Sequence, residues 1–458
     1  MGLGLWGIRR DGTMWRDEVV TYDVSRRDLS DLWHTLGNAD AVHGLYYLLM
    51  HGLFRITGGA DPLLVMRIPS VLAMSAAAAG VALLGARLAG PRTGVLTGVA
   101  FAVFPLIQRF AQEGRSYALV CALVVWATSA LLDAVATDEP RSARMWWRYG
   151  ALMLVACWLH EFAVFALAGH AMAIPRAARR RWGVAAGAVV AGLAPLVVLS
   201  ERQQAQVSWL SFSPRQYAAT LGVCLVGVGC AVLLRKWLPR GAVSRDGLVR
   251  VALPLLVAPA VLLMLLTPFK PLFVDRYVLY IWAGQALLLG ALSDRALRAG
   301  PRQTAVATVA VMVALTSLVP LSLHLRTPGS RLDDATAAAR SIGAAGRTGD
   351  AVVYLPSRRR VWTLASPDAV EGLRDIALDR GPVASRTLYG TEVPAQVVRD
   401  RMTAEPRIVL VTDPSGETSD AVEQETVKRR VIEDRFARCR SWHTRGARVT
   451  LYARPGHC

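Results

Sequence analysis

Apolar residues run in long uninterrupted stretches over the first three quarters of the chain, with short polar stretches between them. Ten stretches are long and charge-poor enough to cross a hydrocarbon core of about 30 Å. They cover residues 67–87, 93–110, 117–136, 145–159, 161–175, 183–200, 218–235, 250–267, 277–293 and 303–324. The stretch 145–159 is short and reads as tilted or partly re-entrant. After His324 the pattern changes. Alternating runs at Asp350–Leu355, Arg407–Thr412 and Arg448–Ala453 predict strands, and Asp333–Ala344 and Thr418–Arg438 predict helices. The pattern therefore predicts a polytopic α-helical membrane domain over 1–325 and a small α/β domain over 330–458. No internal repeat of fixed period is present.

Composition agrees with this division. Of 458 residues 53% are hydrophobic, and the mean hydropathy is +0.34. Soluble domains run at about 45–50% apolar. The net charge of +18 comes from 52 Lys and Arg, nearly all Arg. A basic balance can signal nucleic acid, but here the arginines cluster in alternate loops, and nucleic acid is not an expected partner. One set of loops holds Arg87 and Arg92; Arg141, Arg144 and Arg148; Arg176 and Arg179–Arg181; Arg235, Lys236, Arg240, Arg245 and Arg250; and Arg295, Arg298 and Arg302. The other set, Gln112–Tyr117, His160–Glu161, Glu201–Tyr217 and Thr267–Tyr277, is far less basic. By the positive-inside rule the first set is cytoplasmic and the second is not.

This orientation sends the stretch 67–87 from outside to inside. Residues 11–66 then form a first extracytoplasmic loop. Within it 43–57 is apolar but short, and reads as a juxtamembrane helix with Tyr46, Tyr47 and Phe54 as interfacial anchors. His43 falls near the lipid head groups in this reading. The chain before residue 11 should arrive from the cytoplasm, so a first helix is expected to be truncated, with the true start upstream of Met1. The opening MGLGLWGIRRDG shows no cleavable signal peptide. The domain 330–458 falls outside the cytoplasm, where a disulfide between Cys439 and Cys458 can persist. Cys121, Cys157, Cys224 and Cys230 lie in apolar stretches and read as packing residues. No cysteine or histidine spacing suggests a metal site.

Five constellations on the outer side can carry chemistry. Asp17 and Glu18 follow Trp15-Arg16; a carboxylate near an interface is partly desolvated, which suits a general base, whereas the plain alternative is a solvated acidic loop. Asp40 with His43 precedes the juxtamembrane helix, which Asp40 is placed to N-cap. Glu113, Arg115 and Tyr117 open a spanning helix; Arg115 suits phosphate and equally suits anchoring to head groups. His160 and Glu161 sit between two short spans, as site residues or as a wetted turn. Lys270, Arg276 and Tyr277 share a late loop with Asp275, for phosphate or for anchoring. Each signal is weak alone. Together they place carboxylates and cations on one face, as transfer from a lipid phosphate requires.

The stretches MWRDEVVT (14–21), ADAVHGLYYLLMHGLFRITG (39–58), VMRIPSVLA (65–73), FAQEGRSYAL (110–119), WLHEFAVF (158–165), LFVDRYVLY (272–280) and RLDDATAAARSIGAAGRTGDAVVY (331–354) carry a resemblance. The chain resembles the GT-C membrane glycosyltransferases, in the dolichyl-phosphate-mannose-protein mannosyltransferase-like and aminoarabinose transferase-like bacterial group. The resemblance covers 11–175 well and 276–280 and the start of the outer domain more loosely. The family's Asp-Glu pair matches Asp17-Glu18, its Gln-Glu-Ala-Arg-x-Tyr-Ala-Leu matches Gln112–Leu119 with Gly114 for Ala, and its late Arg-Tyr matches Arg276-Tyr277. Its His-Pro-Pro reads His43-Gly44-Leu45 here, which alters an acceptor-side loop and removes no catalytic group.

The resemblance implies a GT-C fold with about ten complete transmembrane helices, a truncated first one, and the C-terminal α/β domain. It implies an inverting transfer of a sugar, mannose or a pentose, from a polyprenyl-phosphate donor to the hydroxyl of a glycan, lipid or protein acceptor. Asp17 would be the base, with Glu18 sharing that role or orienting the acceptor. Arg115, Arg276 and Lys270 would hold the leaving phosphate. Asp40, His43, Glu113, Tyr117, His160, Glu161 and Tyr277 would line the pocket. Divalent metal use varies across such enzymes, and no dedicated ligand set is visible. Two other readings remain: a polysaccharide ligase or polymerase of the cell envelope, and a transporter or flippase. The latter calls for intramembrane charge and repeat symmetry, which this sequence lacks.

Overall fold

The computed structural model describes residues 1–137, 142–203, 213–236, 243–270, 273–414 and 422–458. Arg141 and Arg240 of the basic loops, 204–212 and 271–272 of the outer loops, and the start of the expected helix Thr418–Arg438 lie outside the described residues. The chain packs as two compact units. One holds Met1–Ile8, Asp40–Tyr46 and Arg67–Leu323; the other holds Arg9–Ala39, Tyr47–Met66 and His324–Cys458.

The first unit is helical. Six described helices are long and apolar enough to cross a membrane: Pro62–Ala89, Tyr117–Ala136, Arg176–Arg202, Pro214–Lys236, Gly247–Leu266 and Pro301–His324. A seventh crossing is available from Pro91–Val103 and Pro105–Ala111, two helices bent by 67°. The break has a local cause. Phe104 precedes Pro105 and is extended (φ −60°, ψ 128°), because the proline ring disfavours a helical residue before it. Pro301–His324 buries none of its residues, and its exposed Val306, Val309 and Leu323 suit a lipid-facing helix.

The expected count of about ten complete spans is corrected to six, or seven with the bent pair, among the described residues. The stretch 161–175 forms a short 3-10 segment, Glu161–Phe165, followed by an eight-residue helix, Ala166–Ala173. The stretch 277–293 becomes a 3-10 segment, Asp275–Val278, and a 16-residue helix, Ile281–Ala296. Both helices are shorter than the roughly 20 residues of a typical crossing. The stretch 145–159 lies in Ser142–Leu159, whose first turns carry Arg144 and Arg148 and shorten its apolar length.

Small residues let these helices approach closely. A Cβ on Gly94 would lie 2.6 Å from the Ala82 carbonyl oxygen, and one on Gly290 would lie 2.6 Å from the Thr97 backbone nitrogen. The helix expected over 43–57 forms as Gly44–Thr57. Its tyrosines are not interfacial anchors, however. Tyr46 and Tyr47 are fully buried, so they fill protein interior and cannot reach lipid. Phe54 is half-buried and meets Tyr22 edge-on at 5.8 Å.

The second unit contains an α/β sheet. Its strands are β1 (Ala351–Leu355), β2 (Arg374–Asp375), β3 (Leu378–Arg380), β4 (Thr391–Glu392), β5 (Arg407–Thr412), β6 (Ala437–Thr444) and β7 (Ala447–Ala453). The main sheet has the order β2-β1-β5-β7-β6. β1 runs parallel to β2 and β5, whereas β7 is antiparallel to β5 and β6. The three expected strands are β1, β5 and β7, and the expected helices appear as Ala335–Ala345 and Glu423–Arg435. Helix Ala395–Ala404 and strand β6 were not expected. Val353, Leu355, Val398, Met402, Ile408, Leu410, Val431 and Ile432 form the core. Cys439 and Cys458 are joined in a disulfide, and the other four cysteines are free and buried.

Candidate functional site

In the first unit the site is built on the turn Gln112–Ser116, every residue of which is buried. Ser70 Oγ donates to the Glu113 carbonyl at 2.6 Å, and Gln112 Nε2 donates to the carbonyls of Gly4 (2.9 Å) and Trp6 (2.7 Å). These bonds fix a turn that would otherwise leave polar backbone unsatisfied. It presents Arg115 and delivers Tyr117 to the start of Tyr117–Ala136. Arg115 Nη1 lies 3.9 Å from Asp40 Oδ2, and Arg109 Nε lies 3.4 Å from Glu113 Oε1.

Arg276 reaches the same place from the 3-10 segment Asp275–Val278. Its Nε donates to the Tyr117 hydroxyl at 3.0 Å, and its guanidinium lies over the rings of Tyr117 (5.6 Å) and Tyr277 (5.7 Å). His160, in the turn after Ser142–Leu159, completes the cluster. Its ring is 4.5 Å from Tyr277, 5.6 Å from Tyr117 and 5.7 Å from His43. His160 Nδ1 is buried with no hydrogen-bond partner among the described residues. Burial, and then the nearby His43, Arg276 and Arg115, hold its imidazole well below the usual histidine range. A neutral imidazole flanked by two guanidiniums is a binding surface for anionic or hydroxyl oxygen.

The remaining predicted residues of this unit divide. His43 is buried, edge-on to Tyr117 at 6.3 Å, so it is a protein-packed group and not a head-group contact. Asp40 occupies the N-cap position of the 3-10 segment Ala41–His43 with a left-handed backbone (φ 54°), but its side chain makes no cap hydrogen bond; its carboxylate faces Arg115 instead. Lys270 stands with Glu201, its Nζ 2.6 and 2.7 Å from the two carboxylate oxygens, and Glu161 accepts from Ser200 Oγ at 2.8 Å. Among the predicted cations, Arg115 and Arg276 therefore share surroundings that Lys270 does not.

In the second unit Asp17 and Glu18 open the helix Arg16–Arg26, as acidic residues in a first turn should. Their environments differ. Glu18 is completely buried and accepts from Arg10 Nη2 with both carboxylate oxygens, at 2.9 and 2.8 Å. Asp17 keeps part of its side chain exposed, 3.6 Å from Arg16 Nε. The start of this helix is tied to the C-terminal segment. Arg16 N donates to Asp333 Oδ1 at 2.7 Å, Met14 N to Thr336 Oγ1 at 3.0 Å, and Ala335 N to the Met14 carbonyl at 3.0 Å. Asp333 is buried, and burial pushes its carboxyl above the usual range. Sequence reasoning missed Asp333, and it missed Arg358, Arg359 and Asp413 in the same unit. The run Arg358-Arg359-Arg360 was the available signal. Among the described residues no group of three His, Cys, Asp or Glu side chains is arranged to hold a metal ion.

No family model matches the chain. No curated protein matches it in sequence. Solved structures do match in fold. ArnT from Cupriavidus metallidurans bound to undecaprenyl phosphate is similar over 97% of this chain and 95% of its own, with a TM-score of 0.56 and 12% identity. The same ArnT in the apo state covers 95% and 93%, with a TM-score of 0.54 and 10% identity. The archaeal oligosaccharyltransferase AglB from Archaeoglobus fulgidus, in complex with an inhibitory peptide and a dolichol-phosphate, is similar over 96% of this chain and 70% of its own, with a TM-score of 0.53 and 10% identity. Both proteins are GT-C superfamily members, and the present chain has the GT-C fold. It is a multi-pass membrane protein.

Proposed function

We propose that this protein is an inverting glycosyltransferase that moves a sugar, mannose or a pentose, from a polyprenyl-phosphate donor to an acceptor hydroxyl on the extracytoplasmic face. The observation that carries the reading is the meeting of Arg115 and Arg276 around neutral His160, on turns at helix ends. The fold adds support, since an ArnT structure holds undecaprenyl phosphate and an AglB structure holds dolichol-phosphate.

In the proposed reaction the acceptor oxygen attacks the anomeric carbon from the face opposite the lipid phosphate. The carbon–oxygen bond to the phosphate breaks, and the phosphate leaves with the electron pair. Its growing negative charge is met by the planar, permanently charged guanidiniums of Arg115 and Arg276. The acceptor proton passes to Asp17. Glu18 is held by Arg10 with both carboxylate oxygens, so its assigned part is to fix the helix start and orient Asp17. Lys270 is matched by Glu201 and is assigned to the rim of the donor phosphate site.

Membranes carrying Asp17→Asn, assayed with a labelled polyprenyl-phosphate sugar, should lose transfer by about 100-fold or more while still binding the donor. Arg115→Gln and Arg276→Gln should weaken donor binding itself. Full transfer by the Asp17 variant removes Asp17 as the base. Cell-envelope glycans and lipid-linked sugars from a deletion strain would identify the acceptor and the sugar.

A further inference from the structure

In the second unit the helix Arg16–Arg26 packs on the 3-10 segment Ser357–Thr363. The junction gathers three arginines, Arg16, Arg358 and Arg359. Asp413 pairs closely with Arg359 and lies 3.7 Å from Arg358. The Arg359 guanidinium is stacked 4.7 Å over the Trp362 ring. The Arg358 side chain is 35% exposed, and those of Arg16 and Arg359 are 16% and 11% exposed. Each therefore keeps some access to solvent.

The next residue shows what a structural arginine looks like in this fold. Arg360 is buried and saturated: it donates to Asp375, to Glu392 at 2.9 Å and to the Tyr389 carbonyl at 3.0 Å. Among the described residues Arg358 and Arg359 have a single carboxylate between them, and the Arg359 Nε is buried with no acceptor. Burial pushes the nearby Asp333 carboxyl above its usual range. Burial, reinforced by Arg16 and Arg358 against the pull of Asp413, brings Arg359 down to about 10. Two guanidiniums, with Arg16 close to Arg359, thus face the carboxylate of Asp413. An oxyanion is the natural complement to that surplus.

We propose that Arg358 and Arg359, with Arg16, bind an anionic group of the acceptor, a phosphate or a carboxylate carried near the hydroxyl that Asp17 deprotonates. This deepens the transferase reading and rests on it. It assigns the acceptor to the class of anionic glycosides. It also gives the outer domain a recognition role in which Trp362 supports the guanidinium plane.

The full chain in phosphatidylcholine nanodiscs, titrated by calorimetry at constant ionic strength, provides the test. The probes are glucose 6-phosphate, glucuronate and glucose. The two anions should bind and glucose should not, and the stronger of the two names the group. The double variant R358Q/R359Q should weaken anion binding by about tenfold or more and leave undecaprenyl phosphate binding unchanged. The R358K/R359K variant keeps the charge, loses the planar fork, and should fall between. Equal anion binding by wild type and the glutamine variant overturns the inference. So does glucose binding as well as glucuronate, or no anion binding by the wild type. None of these outcomes touches the transferase reading, which fails instead if Arg115→Gln and Arg276→Gln bind undecaprenyl phosphate as the wild type does.

Discussion

Asp333 holds the first turn of the helix that carries Asp17, accepting the Arg16 backbone N–H at 2.7 Å. Burial is the main reason its carboxyl lies above the ordinary value of 3.8. The folded chain therefore binds this proton more tightly than the unfolded chain does. The sign follows: the stability from Asp333 is complete below about pH 4 and is lost as pH rises through the folded-state value. Asparagine keeps an acceptor for Arg16 N and cannot titrate. Asp333→Asn should gain on the wild type between about pH 4 and pH 7. Each kcal/mol gained should raise the melting midpoint by about 2–4 °C. Melting curves of the purified protein at several pH values check this, and parallel wild-type and variant profiles would sink it. No local pattern marks this role, because an aspartate before a helix reads as a cap. Its neighbour Asp334 takes that position, with its side chain accepting from Ala337 N at 2.8 Å.

Elements were legible where one face or the whole circumference is apolar, and illegible where burial is partial. The stretch 93–110 looked continuous because hydropathy does not sense a bend; Pro105 breaks it at Phe104. Strand β6 was not legible, the expected helix Thr418–Arg438 taking in only its first two residues, because Ala437–Thr444 is an edge strand with no buried residue and no alternating apolar face marks it. Asp17, Arg115 and Arg276 were legible as site candidates from charge on turns at helix ends. The grouping of Arg16 with Asp333 and Arg359 was not, since it joins Arg16 to residues more than 300 positions away through backbone bonds that no local pattern encodes. Packing between helices gives a prediction at this scale. Gly94→Val would drive its Cβ to 2.6 Å from the Ala82 carbonyl and 2.7 Å from the Ala86 Cβ. Backbone on the far side cannot yield as a flexible side chain can. The variant should lose about 1–3 kcal/mol, read as a lower melting midpoint in detergent with donor affinity retained. An unchanged midpoint would mean that the two helices are not so closely apposed.

Over the whole molecule, the alternating arginines amount to a statement about orientation, and the side chains sharpen it. Arg87 and Arg148 share Asp133, the latter at 3.8 Å, and Arg92 and Arg298 share Asp294 at 3.4 and 3.1 Å. Basic residues from loops far apart in sequence thus meet at common carboxylates, as they must if those loops emerge on one side. The Cys439–Cys458 disulfide is of a kind that persists in oxidising compartments. Both observations bear on the proposed extracytoplasmic chemistry, and one experiment reads them together. The four free cysteines are buried and the other two are bonded, so an introduced surface thiol has little competition. Arg180→Cys lies in a basic loop and Arg380→Cys on the C-terminal segment, and both native side chains are exposed. A membrane-impermeant maleimide should label the Arg380 variant in right-side-out vesicles and the Arg180 variant only in inverted ones. The reverse pattern would place the basic loops outside and move Asp17, Arg115 and Arg276 to the cytoplasm, where a donor presented on the outer leaflet could not meet them. Labelling of both variants from one side would break the alternation itself, because the four long apolar helices between residues 180 and 380 need a fifth crossing, at Ile281–Ala296, to leave the two residues on opposite sides.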